Sequence, residues 1–214
     1  MPVSAQVLLS RIRQGVAALG QEVSDPLCRR YLAYLQLLAR WNAAYNLSGI
    51  KDPAQMVVRH ILDSLAIRPF ISGTDCLDAG TGAGLPGLVL ALALPQTRWV
   101  LLDGNRKKVR FLNQARLELD LVNVEAVAGR VEDYRSEKAF DVITSRALGP
   151  LGRFWDMTEK LRDDNTRLLA MKGAPPADEI AELGDNVLVT THKLSVPGLD
   201  EERCLVIMQS GKLP

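Results

Sequence analysis

The chain has 214 residues, 47% hydrophobic and 24% charged, the make-up of a soluble globular protein with one sizeable core. No apolar run approaches the roughly 18 residues of a membrane span, and the opening MPVSAQVLLSRIRQG lacks the pattern of a secretory leader. Cys28, Cys76 and Cys204 are too scattered for a disulfide framework or, with His60 and His192, a metal site, so a cytoplasmic protein without a structural metal is expected.

Residues 1–70 read as helical. Leu8, Ile12, Val16 and Leu19 recur at spacings of four and three, as do Leu27, Tyr31, Tyr34, Leu38 and Trp41. Ser24-Asp25-Pro26 is a cap with proline in the first turn. A third helix starts near Asp52-Pro53, carries Met56, Val57, His60, Ile61 and Leu65, and ends before Pro69. Ser72-Gly73 then marks a break between a helical extension, 1–70, and the main domain, 71–214.

From residue 74 short apolar runs alternate with helical stretches. Strands are expected at Asp75–Ala79, Trp99–Leu102, Val124–Ala128, Phe140–Thr144 and Arg167–Met171. Helices are expected at Pro86–Leu94, Arg106–Asp120, Leu151–Leu161 and Pro176–Leu183. That alternation predicts an α/β fold with a parallel sheet. Val187–Leu194 and Arg203–Met208 are joined by SVPGLDEE, too short for a crossover helix, so they should pair antiparallel. A mostly parallel, Rossmann-like sheet ending in an antiparallel hairpin is the layout of a class I S-adenosylmethionine-dependent methyltransferase.

The loop Asp78-Ala79-Gly80-Thr81-Gly82-Ala83-Gly84-Leu85-Pro86-Gly87 follows the first strand and opens a helix. Its glycines let a ligand lie against the main chain. Gly82 to Gly87 formally matches a dinucleotide fingerprint, and Asp103 stands 21 residues beyond Gly82, where an acid accepts both ribose hydroxyls. The loop alone separates neither NAD nor S-adenosylmethionine. Asp78 favours the latter, because an acid there can engage an ammonium group, directly or through water, and sits badly beside a pyrophosphate. The terminal hairpin and the shortness of the remaining chain point the same way.

The acceptor is narrowed by what is missing. No cysteine follows a proline, as in enzymes that attack cytosine C5 through a thiolate. The loop Thr144 to Pro150 has neither an Asn/Asp-Pro-Pro-aromatic sequence nor acidic metal ligands. An atom with a free lone pair, such as guanine N7, needs no base, and positioning carries the catalysis.

Trp41 to Ser48, Arg59 to Leu65, Asp78 to Gly87, Ser145-Arg146-Ala147 and Met171-Lys172-Gly173 together resemble the RsmG (GidB) family. The resemblance runs from about residue 25 to the C-terminus. It departs at Ala79, Ala83 and Ser48. It implies methylation of guanine N7 in the decoding-region loop of 16S ribosomal RNA, naked or in the 30S particle, by a monomer away from membranes. It also implies that Gly80, Leu85, Val131, Glu132 and Arg146 touch the donor. Rival readings are a methyltransferase with another RNA or small-molecule acceptor, and a non-catalytic RNA-binding module.

Donor binding is thus expected from Asp78, Gly80, Gly82, Gly84, Leu85, Asp103, Val131, Glu132 and Arg146, with Val131-Glu132 flanking the adenine. Arg146, Lys172, Asn46 and His60 are expected to position the reactants, Lys172 by holding a phosphate. Asn46 as a turn residue and His60 as helix packing are the plainer alternatives. The net charge of +1 is uneven: residues 1–70 hold eight Lys/Arg against four Asp/Glu, 71–146 are balanced, and the rest are acidic. Arg29 and Arg30, with Arg106, Lys107, Lys108 and Arg110 at a helix start, are therefore candidate RNA contacts, against the reading of a solvated surface. Trp41, Trp99 and Trp155 are expected in the core.

Overall fold

A computed structural model describes residues 3–211. Helices α1 (Ala5–Ala18) and α2 (Asp25–Tyr45) stand where the apolar spacing places them. Ser4 and Ser24 cap them, accepting from Val7 N and Leu27 N, and Pro26 sits in the first turn of α2. The expected third helix is not regular. It is α3 (Pro53–Met56), a π-helical turn (Val57–Leu62) and α4 (Asp63–Leu65). The π turn buries Val57, His60, Ile61 and Leu62 together. Helix α1 presses on it at Gly15, where a Cβ would collide with Leu62.

The sheet comprises β1 (Asp75–Ala79), β2 (Arg98–Asp103), β3 (Val124–Ala128), β4 (Val142–Arg146), β5 (Arg167–Lys172), β6 (Val187–Leu194) and β7 (Arg203–Ser210). Their order is β3-β2-β1-β4-β5-β7-β6. The first five in that order run parallel, and β7 is antiparallel to both β5 and β6. The order reverses between β1 and β4, which opens a crevice beyond their carboxyl ends.

The crossovers are α5 (Gly87–Ala93), α6 (Arg106–Glu118) and α7 (Leu151–Met157), and α8 (Ala177–Ala181) follows β5. Several expected boundaries move. Strand β4 starts two residues late, because Phe140 N is drawn to Leu161 O and the Asp141 carboxylate accepts from Thr74 N and Asp75 N. Arg146 therefore ends the strand instead of following it. Helix α7 stops at Met157, where the Thr158 hydroxyl folds back onto the carbonyls of Phe154 and Trp155, and a 3-10 turn covers Glu159–Leu161. Helix α8 has five residues, since its core-facing pattern is weak and none of them is buried.

One apolar cluster joins Ile12, Tyr31, Tyr34 and Leu38 of the N-terminal helices to Leu88, Trp99 and Phe111 on one face of the sheet. A second, with Leu77, Phe140, Phe154 and Leu168, covers the other face. Truncating such a residue, as in Leu38→Ala, costs about 2–5 kcal/mol. Trp99 and Trp155 are buried, and Trp41 packs between Tyr45 and Phe111. No described helix is long and apolar enough to cross a membrane.

Candidate active site

The glycine loop leaves β1 by left-handed steps at Gly80, Gly82 and Gly84, with φ of +68°, +63° and +93°. A Cβ on Gly80 would sit 2.5 Å from Leu148 Cδ1, whereas one on Gly82 would point into open space, its nearest atom 3.9 Å away. Asp78 lies beneath the loop and is fully buried. Its Oδ2 accepts from Thr81 Oγ1 (2.6 Å) and Gly87 N (2.8 Å), and its Oδ1 from Thr144 Oγ1 (3.0 Å). Burial pushes its pKa up to about 6, against the pull of those hydrogen bonds. Asp78, expected to engage an ammonium group directly or through water, is thus held by three hydrogen bonds from the protein, and the carboxyl fastens the loop. Tyr34 of α2 supports the loop from outside, donating to Ala83 O at 2.8 Å.

Two adjoining hollows lie over the loop. The larger, about 660 Å³, is lined by Gly80, Gly82, Leu85, His60, Arg146 and Lys172 among others. The smaller, about 420 Å³, is lined by Asp103, Val131 and Glu132. Gly80, Lys108 and Ala147 border both. Asp103 ends β2, with Oδ2 accepting from Gly82 N at 2.9 Å and Oδ1 from Asn105 N at 2.8 Å. Lys108 Nζ lies 3.6 Å from the same carboxylate. Gly84 instead packs under the loop, where a Cβ would come within 2.8 Å of Leu88 Cβ.

Arg146 reaches across the larger hollow. Its Nη1 donates to Arg59 O (2.9 Å) and Asp63 Oδ2 (3.1 Å). Asp63 is buried, and its Oδ1 accepts from Arg203 Nε at 3.1 Å. His60 is buried with Nε2 3.0 Å from Ser48 Oγ. Burial, aided by the Arg146 charge, pushes its pKa down to about 4, against the Arg59 carbonyl, so the ring is neutral.

Lys172 corrects an expectation. Its ammonium donates to both oxygens of Glu179, at 3.0 and 2.7 Å, and to Gly149 O at 2.8 Å. All three of its donors are used within the protein, so none is left for a phosphate. Glu179 also accepts from Leu151 N at 2.7 Å. Burial alone would raise its pKa, but the bonds from Lys172 and Leu151 hold it below the usual range. Together they pin the loop that carries Ala147.

Asn46 caps α2 in a left-handed conformation, exposed and outside the hollow's lining, so the turn reading holds. Arg30 also departs from expectation. It donates to the carbonyls of Leu119 and Asp120 beyond the end of α6 and lines neither hollow. Arg29 is exposed. Much of the N-terminal positive charge is absorbed by the pairs Arg13–Asp25, Arg40–Glu118 and Arg59–Glu201. The run at the start of α6 divides: Lys108 faces the hollows, while Arg106, Lys107 and Arg110 stay exposed.

Sequence reasoning missed Asn42, Ser48, Asp63, Arg203 and Tyr34 as parts of the site. Asn42 clamps Ser48 through Nδ2 to Ser48 O (2.7 Å) and Ser48 N to Oδ1 (2.8 Å), and so holds His60. One signal was present for Asp63: an acid amid Ile61, Leu62 and Leu65 sits on an apolar face, and buried acids are paired.

The family described as GidB, rRNA small subunit methyltransferase G, matches residues 27–206. The ribosomal RNA small subunit methyltransferase G of Ectopseudomonas mendocina (strain ymp) is 49% identical over 92% of this chain and 93% of that protein. Its namesake from Salmonella arizonae is 43% identical over 96% and 100%. Among solved structures, a coclaurine N-methyltransferase covers 98% of this chain and 90% of its own, with a TM-score of 0.59 and 13% identity. A SAM-dependent methyltransferase from Aquifex aeolicus covers 77% of this chain and 97% of its own, with a TM-score of 0.55 and 16% identity. At such identities these two share the fold.

Proposed function

The chain belongs to the GidB family of ribosomal RNA small subunit methyltransferases G, and from that premise we propose that it methylates guanine N7 in the decoding-region loop of 16S ribosomal RNA. It is an S-adenosylmethionine-dependent rRNA methyltransferase. The finer assignment is supported by one observation above all: two hollows meet at Gly80 and Lys108, over a glycine loop at the carboxyl ends of parallel strands. The smaller suits the adenosine part of the donor, with Asp103 for the ribose and Val131-Glu132 beside the base. The larger suits the methionine part and the incoming guanine.

The pocket fits such a donor. The space above Gly82 is open to it, and the left-handed loop lets it lie against the backbone. When bound, the donor supplies a methyl group made electrophilic by its sulfonium. Gly80, Gly82 and Leu85 shape the bed for the donor, and Gly84 and Asp78 set that bed from below. Guanine N7 carries no proton, so the chain need hold no base. The neutral His60 fits that need: it fixes Ser48 at the wall and adds no charge beside Arg146. Arg146 keeps its Nη2 donors free at the wall of the hollow, where the incoming RNA lies. Lys172 and Glu179 act as positioning residues that hold the Ala147 loop.

The reading takes the protein as a monomer that works in the cytoplasm, where ribosomes assemble. The helical extension, residues 1–70, serves as the wall through Ser48, His60 and Asp63. The test supplies the protein with methyl-labelled S-adenosylmethionine and either naked 16S RNA or 30S particles, then maps the label. Label at guanine N7 of the decoding-region loop is expected. Label on another atom, or none on either substrate, would overturn the assignment.

A further inference from the structure

We propose that Arg203, with Arg146, grips a backbone phosphate of the RNA beside the target guanine, and that Asp63 is the anchor that sets the two arginines side by side; this rests on the ribosomal-RNA reading above. Arg203 opens β7 and lines the larger hollow. Its Nε donates to Asp63 Oδ1 at 3.1 Å and its Nη1 to Glu202 O at 2.8 Å. Arg146 takes the other oxygen of Asp63, also at 3.1 Å. One buried carboxylate therefore serves two guanidinium groups.

Charge at this place does not balance. Arg59, Arg146 and Arg203 converge there, against Asp63 and Glu201. Glu201 hydrogen-bonds Arg59, and its carboxyl, held below the usual range chiefly by that bond, also feels Arg203. One positive charge is left without a carboxylate. The Arg146 and Arg203 side chains are only 26% and 22% exposed, so water screens that charge poorly. Nη2 of each makes no hydrogen bond within the described residues. Paired guanidinium groups with free forks match the oxygens of a phosphodiester.

The donor's own carboxylate is the competing anion, and the sheet order argues against it. Strand β7 stands three places from β1, whose end carries the glycine loop, a separation of about 14 Å. Arg203 borders the larger hollow beside Lys172 and Gly173, at the β5–β7 edge away from the glycine loop.

The experiment uses the full chain and whichever of naked 16S RNA and the 30S particle the wild type methylates. Affinity is measured across a salt series for the wild type, Arg203→Ala, Arg203→Gln and Arg203→Lys, with S-adenosylmethionine affinity by calorimetry on each. Loss of one phosphate contact should weaken RNA binding about tenfold and lower the slope of log affinity against log salt by about one. Arg203→Gln keeps hydrogen-bond donors without charge and should behave like Arg203→Ala, while Arg203→Lys should recover part of the affinity and the slope. Donor affinity should change less than twofold, which also shows that each variant is folded; if the alanine variant fails to fold, the glutamine and lysine variants carry the test. Unchanged RNA affinity and slope would overturn the proposal. So would an unchanged slope with donor affinity weakened tenfold, which would assign Arg203 to the donor's carboxylate. A wild type that neither binds nor methylates either substrate overturns the RNA reading itself, and this proposal with it.

Discussion

Asp78→Asn turns a buried carboxyl into a measurable dependence of stability on pH. Burial lifts Asp78 from its ordinary 3.8 to about 6, so the folded protein keeps a proton that the unfolded chain releases. The stability tied to this group is therefore fully present below about pH 4 and declines as pH rises through about 6. At about 1.4 kcal/mol per pH unit of displacement, the whole decline is about 3 kcal/mol, roughly half of it developing above pH 5. Asparagine keeps the shape and carries no charge. Its Oδ1 can accept from Thr81 and Gly87, and its amide can donate to Thr144 Oγ1. Urea unfolding of both proteins between about pH 5 and 7.5 gives the comparison. The unfolding free energy of the variant, relative to wild type, should rise by about 1.5 kcal/mol across that range. His60 acts oppositely: burial lowers it to about 4, so its contribution grows with pH, but it is common to both proteins and cancels in the difference. A difference that stays level with pH would refute the dominance of burial at Asp78.

Gly82→Val should abolish donor binding in a folded protein, because its side chain fills the open bed and φ of +63° disfavours a branched residue; calorimetric affinity equal to wild type would show that the donor lies elsewhere. Lys172→Ala and Glu179→Ala should each lower turnover by a similar factor, and the double variant should be little worse than either, since both act through one linked loop; independent, multiplying losses would sink the shared role. Arg146→Lys should restore little of the turnover lost in Arg146→Ala, because an ammonium cannot hold Asp63 and Arg59 O while presenting a fork; near-complete rescue would mean that charge alone suffices. The rate of the chemical step should be level from about pH 7 to 9, as no base is required, and a step through one deprotonated side chain would count against N7 as the acceptor.

The fold was legible because its signals are local. The cap at Ser24, the glycine run and the unbridgeable SVPGLDEE loop each restrict the chain where they stand. Boundaries slipped where distant partners decide, as when the Asp141 carboxylate turned to the Thr74 and Asp75 amides. In the site, Asp103, Val131 and Glu132 were legible from strand ends, and they line the smaller hollow. Lys172 misled for a physical reason: a lysine past a strand end looks free until the chain folds Glu179 back onto it, seven residues on. Arg30 misled likewise, being consumed by two carbonyls 89 and 90 residues away. Sequence exposes which charges exist, whereas tertiary pairing decides which remain unspent.

The π turn at Val57–Leu62 bears on how this segment tolerates insertion and deletion. It closes its ring one residue later than an α turn, and one residue is about 100° of helical rotation. Removing a single residue between 57 and 62 would let the segment relax into a plain α-helix without changing its apolar character. The wide turn takes up that extra residue, so the carboxylate of Asp63 would keep its place toward Arg146 and Arg203, whereas the same deletion in a regular helical turn would swing everything downstream by that angle. The angular phase of one short helix, more than the identity of any side chain on it, thus decides whether two arginines have a common anchor. A one-residue deletion is for that reason absorbed better in this stretch than in the regular turns of α2.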